Sequence, residues 1–209
     1  MNVAVEKLGP SFYAVNGRKC IGVTRPLQPF FDTGMAPEEA AFYMQRGSYM
    51  HNATAVMDLS LMDGGKGFDY SEIPEDCQGR LRSYEEWRNQ IHAIPKQVEL
   101  LVGNPRLFYG GTLDRVFVMM GALWLIDLKF SSPTKRGLLG TAMQTAAYKE
   151  ALVRMGAEGA KHIRRGALYL PPSCVPVLKP FPLKNDARDF SRFVTMLNAY
   201  RLINEEQAA

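Results

Sequence analysis

The first part of the chain carries two short apolar stretches on either side of Asn16-Gly17. This dipeptide tolerates the positive φ angles of a type I′ turn, so the sequence predicts a small hairpin within residues 13–23. Pro26 and Pro29 follow, and they predict that the hairpin ends there.

Helical spacing of apolar residues comes next. Pro37 is typical of a first helical turn, and the apolar positions predict a helix from there to about Leu59. The glycine-rich residues 63–69 predict a flexible connector. Ser83-Tyr-Glu-Glu86 has the spacing of a capping box and predicts the start of a second helix, which Pro95 ends.

The middle of the chain changes to the spacing of strands, and helical spacing returns near the C-terminus. The predicted strands cover residues 98–102, 107–117, 123–130, 165–170 and 175–178. The predicted helices in this part cover residues 141–155 and 186–204. Helices and strands in this order predict an α/β fold, with helices packed on a mixed sheet.

Composition narrows the class of protein. The 209 residues fit a single domain (1–209), and 46% hydrophobic with 22% charged residues is ordinary for a folded globular chain. A formal charge of +4 is compatible with a polyanionic partner, although an excess this small is a weak signal.

Three separated cysteines, Cys20, Cys77 and Cys174, form no CxxC pair, so no local zinc or iron–sulfur site is encoded. Lone thiols favour a reducing compartment. The chain also shows no signal-peptide pattern and no apolar run near the ~20 residues of a membrane span. We therefore expect a cytoplasmic protein without a membrane partner.

Candidate chemistry is concentrated on two adjacent predicted strands. Asp114 lies at the end of one strand, and Asp127 and Lys129 lie two residues apart on the next, so these two side chains share a face. Carboxylates among apolar residues need compensation, and Mg²⁺ or Mn²⁺ would supply it. The alternative is a buried Asp–Lys ion pair with no catalytic role, and the spacing alone leaves both open.

Four segments in order resemble the PD-(D/E)XK nuclease superfamily, in particular its RecB-like exonuclease branch of phage and bacterial stand-alone proteins. The segments are Arg46-Gly47-Ser-Tyr-Met-His51, Gly111-Thr-Leu-Asp114, Asp127-Leu-Lys129 and Gln144-Thr-Ala-Ala-Tyr148. The resemblance covers residues 13–180. It implies a restriction-endonuclease-like core with an N-terminal hairpin extension (1–35) and a catalytic core (97–180).

The resemblance also implies roles for single residues. Asp114 and Asp127 would bind the metal together with the main-chain carbonyl of Leu128, His51 would be a further ligand, and Lys129 would serve the attacking water. The acidic position Glu99 would bind a second metal or position a water, unless it is a surface residue.

Substrate contacts are expected on the following helix and beside the site. Gln144 and Tyr148, one helical turn apart, would contact the substrate strand or orient the catalytic groups. Arg115, Lys135 and Arg136 would hold flanking phosphates, with ordinary solvated surface as the alternative.

The implied function is that of a metal-dependent DNA exonuclease, in a bacterial or phage-infected host cell. The iron–sulfur cluster of some relatives is not expected, because those relatives carry three cysteines near the C-terminus and this chain has Cys174 alone there. A structure-specific endonuclease and a non-cleaving DNA- or protein-binding member are the alternatives. An oligomer is possible, and nothing in the sequence specifies one.

Overall fold

The computed structural model describes residues 3–32, 34–65 and 68–205. Its α-helices are α1 (Thr24–Phe31), α2 (Pro37–Met62), α3 (Glu75–Gln90), α4 (Lys135–Met155) and α5 (Asp186–Glu205). Its strands are β1 (Val5–Gly9), β2 (Phe12–Val15), β3 (Arg18–Gly22), β4 (Ile94–Asn104), β5 (Tyr109–Met119), β6 (Ala122–Lys129), β7 (Arg164–Tyr169) and β8 (Val177–Phe181). Within these ranges, no helix has the length and apolar character needed to cross a membrane.

The strands form one mixed sheet. Seven of them are neighbours in the order β1-β2-β3-β5-β6-β7-β8, and β4 pairs with β5. The β3–β5 and β6–β7 pairs are parallel, and the other pairs are antiparallel. The predicted α/β class, with a mixed sheet flanked by helices, is confirmed.

Two hydrophobic clusters hold helices against this sheet. One cluster joins α1, α4 and α5 to the sheet through Leu27, Ala147 and Phe193, all of them fully buried. The other joins α2 and α3 to the sheet through residues such as Met50 and Leu81. The sheet is therefore covered by two separate groups of helices, a layered arrangement typical of α/β proteins.

The N-terminal hairpin is present as predicted, and the element after it is different. Asn16 and Gly17 have φ angles of 51° and 78°, which fit the predicted type I′ turn between β2 and β3. The hairpin ends at Gly22, before the two prolines, but Pro26 and Pro29 lie inside α1, a helix that was not predicted, and Pro26 is buried. Proline is tolerated in a first helical turn, and burial of α1 against α4 and α5 offsets the bond that Pro29 cannot donate.

The boundaries of the next two helices test two local signals. α2 begins at Pro37 as predicted and ends three residues beyond the predicted end. The prediction that Ser83 caps a helix is wrong, because Ser83 is buried in the middle of α3 and its hydroxyl donates to the Arg80 carbonyl. Pro95 lies within β4, so it does not end α3 either. In the predicted connector, Lys66 and Gly67 lie outside the described residues.

The predicted strands and the two C-terminal helices are confirmed, with shifted ends. α4 starts six residues before the predicted position, because the Thr134 side chain accepts a hydrogen bond from the Gly137 amide and caps it. Gly156, with a φ of 75°, ends α4 as predicted. β1 was not predicted; its residues are mostly exposed and alternate weakly.

One edge of β5 is shared by two strands. Tyr109 pairs with Ile21 of β3, and Arg115 pairs with Ile126 of β6, while β4 occupies the opposite edge along the whole length. Between these contacts, residues 111–114 have no strand neighbour on that edge within the part of the chain described. We refer to this gap between β3 and β6 as the split edge of β5.

Candidate metal centre at the split edge of β5

Asp114 lies at the split edge, and main chain from the neighbouring strand holds its side chain. The Leu128 amide donates a hydrogen bond of 2.7 Å to Asp114 Oδ2. Burial raises the pKa of Asp114 above its usual range, although Lys129 and this amide act in the opposite direction. The same contact brings the residue that the resemblance assigns a ligating carbonyl, Leu128, to the site.

Asp127 and Lys129 project together from β6, as the strand spacing predicts. Lys129 Nζ lies 2.8 Å from Asp127 Oδ2 as an ion pair. This Oδ2 is fully buried and, among the described residues, has no donor in hydrogen-bond geometry. Burial raises the pKa of Asp127 to about 6, with Lys129 lowering it and Asp114 raising it further. Lys129 already compensates this carboxylate, so the contact by itself fits the ion pair without a catalytic role as well as it fits a cation ligand.

The Lys129 ammonium is oriented by a short chain of polar contacts from α4. It donates to Gln144 Oε1 at 3.3 Å, and Gln144 Nε2 donates to the Tyr148 hydroxyl at 3.3 Å. A Cβ on Gly111 would lie 2.5 Å from the Tyr148 ring, so only glycine allows this close approach. Burial acts to lower the pKa of Lys129, but Asp127 and Asp114 outweigh it and raise the pKa.

His51 reaches the site from α2, on the other side of the sheet from α4. Its Nδ1 lies 3.7 Å from Asp114 Oδ2, and its ring packs edge-on against Phe130 at 5.1 Å between centroids. Burial lowers the pKa of His51 to about 4, although Asp127 acts to raise it. The imidazole is therefore neutral at pH 7, which is the state that ligates a metal.

Glu99 occupies a strained position in β4. Its φ is 49°, in the left-handed region that residues with side chains rarely adopt. The register that pairs Val98 with Arg115 and Leu100 with Leu113 also sets Glu99 opposite Asp114. Burial and the Asp114 charge raise the pKa of Glu99. Two facing carboxylates destabilise a strand pair, and the Arg115 guanidinium, 3.0 Å from Glu99 Oε1, offsets part of that repulsion.

The structure brings three candidate ligands into one cluster. Ligand atoms of His51, Glu99 and Asp114 all lie within 4.8 Å of one another. Oxygen donors at about 2.1 Å from a single Mg²⁺ are ~3–4 Å apart, so small side-chain adjustments suffice. Of the expected ligands, His51, Glu99 and Asp114 lie in this cluster, and Asp127 lies outside it, paired with Lys129.

The predicted DNA contacts divide into three cases. Arg115 does not fit its predicted role, because its side chain has no exposed surface and bonds to Asp58, Thr54 and Glu99. Gln144 and Tyr148 are 5% and 3% exposed, which agrees with orienting Lys129 and not with covering a DNA strand. The last two residues, Lys135 and Arg136, are exposed in the first turn of α4.

A buried network behind the site was not predicted. Asp58 on α2 accepts hydrogen bonds of 2.6 Å from Arg115 Nε and Arg88 Nη1, and a third from the Tyr84 hydroxyl. Arg115 continues from Asp58 to Glu99 Oε1 at 3.0 Å. In the sequence, Asp58 looks like an ordinary polar position of an amphipathic helix, and nothing local marks it as buried.

Tyr169 on β7 is a second unpredicted neighbour of the site. It pairs in register with Lys129, and burial raises the pKa of its hydroxyl. Its strand reads simply as apolar, so the sequence offered no signal for it. The site is therefore formed by β4, β5, β6, β7, α4 and the α2 face that carries His51.

Comparisons with known proteins identify no family for this chain. No protein-family model matches the sequence. No curated protein matches it either.

Proposed function

We propose that this chain is a metal-dependent nuclease of the PD-(D/E)XK superfamily, with a restriction-endonuclease-like core, that degrades DNA from its ends. The observation that carries the proposal is the convergence of His51, Glu99 and Asp114 within 4.8 Å beside the Asp127–Lys129 pair. The order of these residues along the chain is that of the RecB-like exonuclease branch. Their donor atoms, carboxylate oxygens and a neutral imidazole nitrogen, suit Mn²⁺ or Mg²⁺.

In this proposal each residue has a distinct task. His51, Glu99 and Asp114 would hold the divalent cation, and Asp127 and the Leu128 carbonyl would be further ligands. Such a cation polarises a phosphodiester and makes water a better nucleophile. Lys129 stays charged because its pKa is raised, so its ammonium can neutralise charge that develops on the phosphate oxygens.

The residues behind Lys129 keep its ammonium in place. Asp127 fixes it through the 2.8 Å ion pair, and Gln144 fixes it through a hydrogen bond that is braced by Tyr148. Holding a reacting group before substrate arrives removes orientational freedom that the reaction would otherwise have to overcome.

The test is cleavage of end-labelled linear DNA, single- and double-stranded, with Mg²⁺ or Mn²⁺. We expect Asp127→Asn and Lys129→Met each to reduce the rate by at least ~100-fold, the usual effect of removing one stabilising group. Closed circular DNA should resist the wild-type protein, because an exonuclease needs an end.

Matched controls carry the same charge changes on exposed positions away from the cluster. Glu158→Gln and Lys161→Met alter residues that are exposed near the C-terminal end of α4, and we expect wild-type rates from both. Equal activity in the site variants and these controls would refute the site assignment. Cleavage of closed circles would replace the exonuclease with an endonuclease.

A further inference from the structure

Two cations gather over one aromatic ring on the N-terminal hairpin. Lys19 Nζ lies 4.9 Å from the centre of the Phe12 ring, and the Arg25 guanidinium carbon lies 5.0 Å from it. Lys19 is exposed, and Phe12 and Arg25 are partly exposed. These three residues form what we call the Phe12 cluster.

The charge of the Phe12 cluster is not neutralised within the part of the chain that the structure describes. No ion pair there joins Lys19 or Arg25 to a carboxylate. Two like charges beside one ring repel each other, and an anionic ligand relieves that repulsion. Phosphate groups are the anions that lysine and arginine bind most readily along a polymer.

A second ring–cation contact lies at the start of the same strand. The Arg18 guanidinium carbon lies 3.9 Å from the centre of the Phe108 ring. Arg18 directly precedes Lys19 in β3, so the two side chains leave opposite faces of the strand, and both line one cavity. Between the hairpin and α5 lies an open cavity of about 280 Å³. It is lined by Arg18, Lys19, Cys20, Ile21, Phe108 and Arg201. Cations interleaved with aromatic rings suit single strands, whose unpaired bases stack on rings while their phosphates meet cations.

The sheet connects this surface to the candidate metal centre. Gly22 at the end of β3 pairs with Gly110 of β5, and Asp114 follows four residues later, about 13 Å along the strand. Ile21 lies on the same face of β3 as Lys19 and packs against the cluster that contains Tyr148.

Helix α1 supplies a second connection. Arg25 lies in its first turn, and Phe31 ends it about 9 Å further along the axis. Lys129 Nζ lies 4.9 Å from the centre of the Phe31 ring. The Phe12 cluster and Lys129 are thus at opposite ends of a short helix, a distance that a few nucleotides span.

We propose that the Phe12 cluster, extended by Arg18 and Phe108, binds a single-stranded polynucleotide and leads it along α1 to the metal centre. The path to the metal centre rests on the proposed function, whereas binding at the hairpin does not. The Phe12 cluster also supplies the phosphate contacts that the buried Arg115 cannot make. Lys19 and Arg25 contact phosphates, and Phe12 stacks on a base.

The test measures binding without cleavage, by fluorescence anisotropy of labelled oligo-dT and oligo-rU in EDTA at several salt concentrations. We expect the double variant Lys19→Gln with Arg25→Gln to lose at least ~10-fold in affinity. The slope of log K against log salt should fall by about 1–2, since each lost phosphate contact removes ~0.7–0.9 from it. The variant Phe12→Leu, which keeps both charges, should weaken binding and leave the slope unchanged.

The control removes two charges from exposed lysines elsewhere, in Lys161→Gln with Lys184→Gln. Equal losses in both double variants, or wild-type affinity in the Lys19/Arg25 variant, would overturn the proposal. So would a wild-type protein that binds neither oligonucleotide. Oligo-dT and oligo-rU differ in the 2′-hydroxyl and in the base methyl group, and comparing them shows which of the two polymers the surface prefers.

The same proteins separate this proposal from the proposed function. Oligonucleotide binding by a wild-type protein that never cleaves would remove the nuclease and leave the surface in place. Cleavage by wild type, with unchanged binding by the Lys19/Arg25 variant, would remove the surface and leave the nuclease.

Discussion

Two fully buried arginines join helices to the sheet in closely similar ways, yet only one of them faces the candidate site. Arg165 on β7 donates to Asp186 and Asp189 of α5, to Thr145 of α4, and to a main-chain carbonyl of α4. Arg115 on β5 similarly donates to Asp58 and Thr54 of α2, and to the Asp114 carbonyl.

The two arginines differ in the exposure of one carboxylate partner, Asp189 for Arg165 and Glu99 for Arg115. Asp189, beside Arg165, has a side chain that is 2% exposed, and the other partners of this network, Asp186 and Arg188, lie away from the candidate site. Glu99, beside Arg115, has a side chain that is 41% exposed and belongs to the candidate metal cluster. Arg165 therefore stabilises the fold alone, whereas Arg115 also holds the Glu99 carboxylate, which a ligand can reach.

The largest effect is expected from Arg165→Met. It leaves Asp189 with the exposed Arg188, at 3.2 Å, as its guanidinium partner, and breaking the buried pair with Arg165 costs up to ~3–5 kcal/mol of unfolding free energy. Urea denaturation measures that loss, and calorimetry should find that the folded fraction binds Mn²⁺ as wild type does. A weakened Mn²⁺ affinity in this variant would remove the distinction between the two arginines.

A smaller and more selective effect is expected from Arg115→Lys compared with Arg88→Lys. Both arginines donate to Asp58 at 2.6 Å, and Arg115 alone of the two continues to Glu99. Each change should cost ~1–3 kcal/mol of unfolding free energy. Arg115→Lys should in addition weaken Mn²⁺ binding by about tenfold, or ~1.4 kcal/mol, because lysine cannot reach both carboxylates.

Once the stabilities of the two variants are known, isothermal titration with Mn²⁺ compares their metal affinities. Equal Mn²⁺ affinities in Arg115→Lys and Arg88→Lys would show that the Asp58 network supports the fold and does not position Glu99. Tighter binding in Arg115→Lys would show that the guanidinium mainly repels the cation.

Lowering the pH should weaken metal binding at the candidate site, because it protonates Asp127. Its pKa is raised to about 6, so Asp127 is mostly ionised at pH 7 and mostly protonated at pH 5. Metal binding needs the ionised form, and Mn²⁺ affinity should fall by up to ~10-fold per pH unit below 6. The thermal stabilisation by Mn²⁺ should therefore shrink as the pH falls through 6.

The metal-free protein should respond to pH in the opposite sense. A carboxyl whose pKa is higher in the folded state than in the unfolded state binds its proton more tightly when folded. Its contribution to stability therefore increases as the pH falls from about 6 towards the unfolded value. A stabilisation by Mn²⁺ that is the same at pH 5 and pH 7 would contradict the place of Asp127 at the site.

The smallest effect concerns the backbone of Glu99. Glu99→Asn and Glu99→Gln both remove the charge, and we expect both to weaken Mn²⁺ binding. Asparagine tolerates the left-handed backbone better than glutamine, so the Asn variant should be more stable than the Gln variant by ~0.5–1 kcal/mol without metal. Thermal unfolding of the two metal-free variants measures this difference, and equal stabilities would mean that the φ of 49° stores no strain.

Apolar spacing and turn chemistry predicted most elements of the fold, because those signals are local. The Asn16-Gly17 turn and the Gly156 helix end came from backbone preferences that act wherever the residues stand. Local signals also produced the errors: the prolines indicated no helix where α1 lies, and Ser83 indicated the wrong start for α3. Tertiary packing of α1 and α3 overrides a local preference, and the sequence near these residues does not contain that information.

For the candidate site, motif order placed Asp127, Lys129 and Gln144 together, and the structure brings them into contact. The interior role of Arg115 depends on Asp58, 57 residues earlier in the chain. A contact over that separation leaves no trace in local spacing. The left-handed backbone of Glu99 is equally invisible, since an isolated glutamate in a strand predicts extended geometry.

The strand pairing beside the split edge of β5 also determines when the N-terminal hairpin can join the sheet during synthesis. Ile21 of β3 pairs with Tyr109, which leaves the ribosome roughly 90 residues later. At about 5–20 residues per second, the hairpin waits ~5–20 s for its strand partner. Lys129 and Gln144 emerge later still, so the hairpin is synthesised well before the candidate metal centre is complete. Under the two proposals made above, a nascent chain would be able to bind nucleic acid before it could cleave it.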